Sequence, residues 1–237
     1  MKRYYRIAGL SVEMDSFGKT VTQAEPYAIS PVENADIYIK SNWKRLKEQY
    51  PELSEESCEY LSTGTSFYRQ LIKFGGFMLH SSAVVKDGRA YLFTARSGTG
   101  KSTHTSLWLK EFGDDAFILN DDKPAIRFEE GEIFAYGTPW SGKTDKNVNC
   151  RIPLGGICIL ERGEQNTIER ITGKTAIWGI FSQTIRPKNE EYMGMLLTLL
   201  EKIIDNVPIW KLQCNMDPEA AHVSYEAMSG VWQKEDQ

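Results

Sequence analysis

The run Ala95-Arg96-Ser97-Gly98-Thr99-Gly100-Lys101-Ser102 sets two glycines, a lysine and a hydroxyl at the spacing of a phosphate-binding loop. In such a loop the backbone N–H groups and the N-terminus of the following helix cradle anionic oxygens. Gly98 and Gly100 stand where the backbone must pass close to those oxygens. Lys101 would supply a point charge to the β- and γ-phosphates, and the Ser102 hydroxyl would ligate Mg²⁺. Arg96, Ser97, Thr99 and Thr103 complete the expected nucleotide-binding set. The pattern opens on Ala95 instead of glycine, which is tolerable if its φ is negative.

A literal match to the pattern occurs elsewhere, at Gly137-Thr138-Pro139-Trp140-Ser141-Gly142-Lys143-Thr144. A working loop leaves a strand and opens a helix. The residues after Lys143 form helices poorly and soon meet Pro153, and Pro139 removes one N–H from the cradle. The run at 95–102 has the right context, with the strand-like Ala90–Thr94 before it and the helix-compatible Ser102–Phe112 after it. Context therefore selects Ala95–Ser102.

Asn120-Asp121-Asp122 follows the apolar run Ala116–Leu119, so two carboxylates would emerge at a strand's end. A divalent cation relieves the repulsion between adjacent aspartates, and one of them can take a hydroxyl proton as phosphoryl transfer begins. Ser102, Asp121 and Asp122 are thus the candidate metal ligands. His80 is the third element. If Asp87-Gly88 is a two-residue hairpin turn, residue 86 opposes 89 and the register sets His80 across from Ala95, at the loop's mouth. His104 and His222 read as packing or surface residues.

These residues need a scaffold. Between Phe77 and about Arg170, short β-rich runs alternate with turn signals and a single helix interrupts them. Strands are expected at Phe77–Val85, Tyr91–Thr94, Ala116–Leu119, Ala125–Phe128, Ile133–Tyr136, Ile152–Leu160 and Thr167–Ile171. Residues 1–75 carry the alternating runs Tyr4–Ile7 and Asp36–Ile39, a Pro/Glu/Ser segment at Tyr50–Ser57 and a helical stretch at Ser66–Phe74. They read as a small appended α/β subdomain. The last third reads as helices at Lys174–Ser182 and Glu190–Asn206, a strand at Ile209–Gln213, and a final helix from Asp217 or Pro218 to about Trp232. The expected fold class is mixed α/β, with a small N-terminal subdomain at 1–75, a P-loop core at 76–171 and a helical part at 172–237.

At Leu79-His80, Ser97–Ser102 and Asp121-Asp122 the sequence resembles the catalytic domain of HPr kinase/phosphorylase and, more distantly, ATP-dependent phosphoenolpyruvate carboxykinase. The likeness is strong over about fifty residues, and the β-rich core through Glu161 is compatible with that fold. Overall the chain is most similar to the small HPr-kinase-related proteins, some of which phosphorylate a serine on a precursor peptide. The resemblance implies that Lys101 and the loop amides hold the triphosphate of ATP. It implies that Ser102 and the aspartates serve Mg²⁺, that Asp121 is the base, and that His80 contacts phosphate or positions the acceptor.

The chain departs from that family in places. Its Glu-x-x-Gly-x-Gly signature has no glutamate in the corresponding Tyr136–Lys143, which offers Lys143 and Lys146 instead; these could neutralise phosphoryl charge or bind an anionic acceptor. Arg186-Pro187-Lys188-Asn189 is similar to the family's Arg-Pro-Gly-Arg segment, which makes Arg186 a further candidate. Residues 1–75 match nothing in the hexameric enzyme, so neither its oligomeric state nor its HPr partner carries over. Carboxykinase activity is not expected, because that enzyme needs about twice this length.

The expected function is an ATP-dependent kinase acting on a serine of a protein or peptide. A small-molecule hydroxyl kinase and a non-catalytic ATP-binding partner are the alternatives. A formal net charge of −4 from interspersed residues leaves no electrostatic footprint for nucleic acid. No run approaches a membrane span and the N-terminus lacks a signal-peptide core, so a cytoplasmic location is the default expectation. The four cysteines Cys58, Cys150, Cys158 and Cys214 are scattered, which argues against a disulfide framework or zinc site.

Overall fold

Alternation builds the central sheet from β5 (Ser81–Lys86) and β6 (Arg89–Thr94). Ala83, Val85, Ala90 and Leu92 belong to one apolar cluster and Val84, Tyr91 and Phe93 to another, because successive strand side chains point to opposite faces. Both faces are covered. α4 (Lys101–Phe112) and α7 (Glu219–Ser229) close one through Trp108, Ala221 and Met228. α5 (Gly173–Phe181) and α6 (Glu190–Asn206) close the other through Ile180, Leu196, Leu200 and Ile203. The result is a mixed α/β fold in which the sheet lies between helical layers, and strands buried on both faces read as unbroken apolar runs.

This computed structural model describes residues 2–232; the stretch 233–237, the one place where the composition leaves room for disorder, lies outside them. β11 (Thr167–Arg170), β12 (Ile209–Cys214), β10 (Arg151–Arg162), β6, β5 and β7 (Ala116–Asn120) lie side by side. β10 runs parallel to β6 and β12, and the other pairs are antiparallel. β10 also turns the sheet. Its first residues pair with β9 (Glu132–Tyr136), which continues through β8 (Ala125–Glu129) to β4 (Gly76–Met78). The register of β10 on β6 shifts between Leu154 and Gly156, as a bulge does where a strand bends. At Gly156 a Cβ would lie 2.7 Å from the Trp210 ring, so only glycine fits that bend.

The single strand expected at Phe77–Val85 is two strands, β4 and β5, with different neighbours. Between them the chain bonds to loops: His80 N–H donates to Gln183 O (2.8 Å) and Ser81 N–H to Asp122 O (3.2 Å). An apolar run reports burial and not which partner does the burying, so this break left no local trace.

A second sheet, ordered β1 (Lys2–Ile7), β2 (Leu10–Asp15), β3 (Ile37–Lys40), packs with α1 (Gly18–Ala24), α2 (Trp43–Gln49) and α3 (Glu55–Leu71). β2, α1 and α2 have no counterpart in the sequence reading. α3 starts well before the expected Ser66 because Ser54 caps it, its Oγ accepting from Ser57 N–H (3.1 Å), and Glu55 and Glu56 sit favourably in the first turn. At the other end of the chain, Asp217 accepts from Asn215 Nδ2 (2.8 Å) and does not cap α7, which begins at Glu219. The apolar face of the small sheet joins Tyr5, Val12 and Ile37 to Phe67 of α3, to Phe134 of β9 and to Trp140 beyond it. Residues 1–75 thus share a core with β9 and the loop that leaves it.

Candidate functional site

The loop between β6 and α4 has the backbone its glycines suggest. Gly98 takes φ +80° and Gly100 φ +125°, and no neighbouring atom lies within 4 Å of where a Cβ would sit at either position. The backbone angle, and not crowding, is what demands glycine there. Ala95 is not among the residues with left-handed φ, so its methyl group costs nothing. Thr99 N–H bonds to Arg96 O (3.2 Å) and His104 N–H to Gly100 O (2.8 Å), which starts the helix. The first-turn N–H groups of α4 have no intrahelical acceptor, so they form an anion-binding end.

Lys101 lies at that end, 8% exposed, its Nζ donating to Ala95 O (3.1 Å). Burial lowers its pKa, and the nearby charges of Asp122 and Asp121 oppose that shift. From the end of β10, Arg162 donates to Gly98 O (2.6 Å) and Thr99 O (3.1 Å), so one guanidinium ties two loop carbonyls.

β7 delivers the carboxylates. Asn120, fully buried, accepts from the N–H groups of Asp122 (3.0 Å) and Lys123 (2.7 Å) while its amide donates to Thr138 O (2.9 Å). That side chain bends the backbone out of the strand at the aspartates. Asp121 accepts from Ser82 Oγ at Oδ1 (2.6 Å) and from Thr144 Oγ1 at Oδ2 (2.7 Å). Asp122 stands 3.2 Å from His80 Nε2 and also pairs with Lys123. Burial pushes the Asp122 carboxyl up, but His80 and Lys123 outweigh it and hold the group below its ordinary range.

The hairpin runs in register from Lys86 opposite Arg89 to Ser81 opposite Thr94, so His80 lies one step past the strand, beside Ala95. Its main-chain O accepts from Thr94 Oγ1 (2.9 Å) and its Nδ1 is 3.2 Å from Gln183 Oε1. One cleft of about 540 Å³ is lined by His80, Asp121 and Asp122 on one side and by Ser97, Gly98 and Gly100–Thr103 on the other. Gly142, Lys143 and Thr144 line it too. The other expected residues fall outside that lining. Arg96 and Thr99 border a neighbouring recess toward β10 and α5. Lys146 offers its main-chain O to Asp121 N–H (3.1 Å) with its side chain exposed, and Arg186 lies over the Phe181 ring, 5.8 Å from its centroid.

No helix follows Gly137–Thr144; the chain runs through turns into β10. Its first glycine serves packing, since a Cβ on Gly137 would lie 1.9 Å from Val148 O. Trp140 is fully buried and stacks on Phe67, 5.0 Å between centroids. His104 is buried against Phe93 with burial lowering its pKa to about 4, and His222 is half exposed beside Glu111.

Ser82, Thr144, Gln183 and Arg162 join the site without being among the residues expected there. Ser82 was within reach, because a residue two places from His80 shares its strand face. Gln183 and Arg162 arrive from distant segments and carried no signal, and Thr144 stood out only as the end of the rejected motif Gly137–Thr144. Among the described residues no group of three or more His, Cys, Asp or Glu could hold a metal, and no helix is long and apolar enough to cross a membrane.

No family model matches this chain, and no curated protein matches it. Among solved structures it is similar to the Hpr(Ser) kinase/phosphatase from Coxiella burnetii, at 11% identity and a TM-score of 0.40 over 67% of this chain and 98% of that one. A likeness of that degree says nothing about activity, which has to be judged from the cleft.

Proposed function

We propose that this chain is an ATP-dependent kinase that transfers the γ-phosphoryl group to a serine hydroxyl of a protein or peptide. The observation that carries the reading is convergence: the glycine loop with Lys101, the Asp121-Asp122 pair and His80 line one cleft although they come from three separate segments. The residues fit ATP–Mg²⁺. Gly98 and Gly100 leave open space where any other residue would place a Cβ, and Lys101 is held at the head of a twelve-residue helix. Ser102, Asp121 and Asp122 offer oxygen donors from two sides of the cleft. Two carboxylates and a hydroxyl suit a cation that keeps waters and phosphate oxygens as its remaining ligands, so no larger protein cage is required. When bound, the metal supplies charge neutralisation on the transferring phosphoryl group.

In this reading the loop amides and Lys101 bind the β- and γ-phosphates, and Arg162 keeps the loop in shape through its two carbonyl bonds. Asp121 takes the acceptor's proton at Oδ2. Ser82, fully buried and itself bonded to Thr105 (2.7 Å), fixes Oδ1 and so aims the carboxylate. His80 holds Asp122, whose lowered pKa keeps it ionised for the cation, and its own main chain is anchored on Gln183. The test is transfer of label from γ-labelled ATP to serine-bearing peptides with Mg²⁺ present. The reading is overturned if no peptide gains label above an Asp121→Asn control.

A further inference from the structure

Thr144 closes the literal phosphate-loop match at Gly137–Thr144, a motif that nucleotide binding leaves unused. Its hydroxyl donates to Asp121 Oδ2 at 2.7 Å, the place an acceptor hydroxyl would take, while the side chain stays exposed. The placement is built. Gly142 and Asp145, on either side, both take left-handed φ (+76° and +57°), an uncommon conformation for an aspartate that its contacts must hold.

Those contacts come from three directions. Gln23 and Ser141 bond the Asp145 carboxylate, Lys19 donates to Gly142 O, and Gly142 N–H donates to Tyr60 OH (2.9 Å). A Cβ on Gly142 would lie 2.9 Å from that of Asp122, so the loop sits directly on the carboxylate pair. Lys143, the neighbour of Thr144, lines the same cleft as Lys101 and Ser102.

We propose that Thr144 is an intramolecular acceptor, phosphorylated in cis by this chain's own site; the inference rests on the kinase reading above. Thr144 Oγ1 attacks the γ-phosphorus of ATP, its proton passes to Asp121 Oδ2, the new Oγ–P bond forms as the β–γ bridging P–O bond breaks, and ADP leaves with that electron pair. The phosphothreonine then sets a second anion against Asp121 and Asp122. That repulsion drives the loop off the carboxylates and opens the acceptor position to an external hydroxyl.

The test incubates the purified full chain with ATP and Mg²⁺ and follows intact mass and phosphosite by mass spectrometry. One phosphoryl group is expected, on Thr144, with a first-order rate constant independent of protein concentration, lost in Thr144→Val and in Asp121→Asn and kept in Thr144→Ser. Phosphate on another residue, or a fraction modified per unit time that rises with protein concentration, overturns it. So does an unmodified chain that transfers label to a serine peptide, an outcome that leaves the kinase reading standing. A chain that gains no phosphate and transfers none to any acceptor overturns both.

Discussion

At the residue scale, two adjacent carboxylates stand in different company, which in the proposed transfer suits one to take a proton and the other to hold charge. The Asp121 carboxylate accepts from two hydroxyls, Ser82 and Thr144, whereas that of Asp122 meets the imidazole of His80 and the ammonium of Lys123. A carboxylate bonded to hydroxyls can exchange one of them for a substrate hydroxyl; one whose neighbours hold its pKa below the ordinary range keeps its charge for a metal. Asp121→Asn should therefore lower phosphoryl transfer by about 10²–10⁴-fold, the usual loss with a general base, and leave nucleotide affinity nearly unchanged. Steady-state transfer alongside a nucleotide titration checks it. Lys101→Met should do the reverse first, weakening ATP binding by roughly tenfold to a hundredfold, as loss of a charged hydrogen bond worth about 1.5–3 kcal/mol implies. Calorimetric titration measures that directly; an unchanged affinity would remove Lys101 from the nucleotide site.

At the scale of elements, the junction of β6, loop and α4 decides the site. Gly100 is the residue before the helix, and its φ of +125° is one that side chains avoid. Gly100→Ala should cost about 1–3 kcal/mol of backbone strain. Because nothing crowds the added methyl, that strain should appear as a lower melting temperature with α4 intact and as weaker nucleotide binding. Thermal denaturation with and without ATP separates the two effects. A variant that melts and binds like the parent would show that the loop does not need this angle.

Across the whole molecule, the small sheet is coupled to the cleft through α1 and α3. Glu59 of α3 is fully buried and bonded to Thr20 of α1, while the same α1 holds the Gly142–Asp145 loop through Lys19 and Gln23. Burial, reinforced by Asp15 and Glu56 and opposed by Thr20 and the Phe17 N–H, pushes the Glu59 carboxyl up from 4.5 to about 7. A carboxyl with a raised folded-state pKa keeps its proton in the fold when the unfolded chain has lost it. Its stability contribution is thus full below about pH 4.5 and lost as pH rises through about 7. The loss is on the order of 3 kcal/mol. Glu59→Gln should match the parent near pH 4.5 and melt higher than it at pH 8, a comparison that thermal scans across that range will make. Equal pH profiles would mean that the carboxylate is solvated in the fold.

How much of this was legible depends on range. The glycine loop, the helix after it, the Asp pair at a strand's end and the hairpin that carries His80 to Ala95 were all readable in the sequence. Each is set by torsional freedom, alternation or turn chemistry acting over a few residues. Three dimensions alone decided that Phe77–Val85 breaks at Leu79-His80, that β10 bends from one set of partners to another, and that α3 closes its sheet with Trp140 from a later segment. Only the tertiary fold also brought Ser82 and Thr144 to Asp121, Gln183 to His80 and Arg162 to the loop. Those contacts join residues up to 103 positions apart, and their geometry is set by how sheets and helices pack, which no local pattern of residue types records.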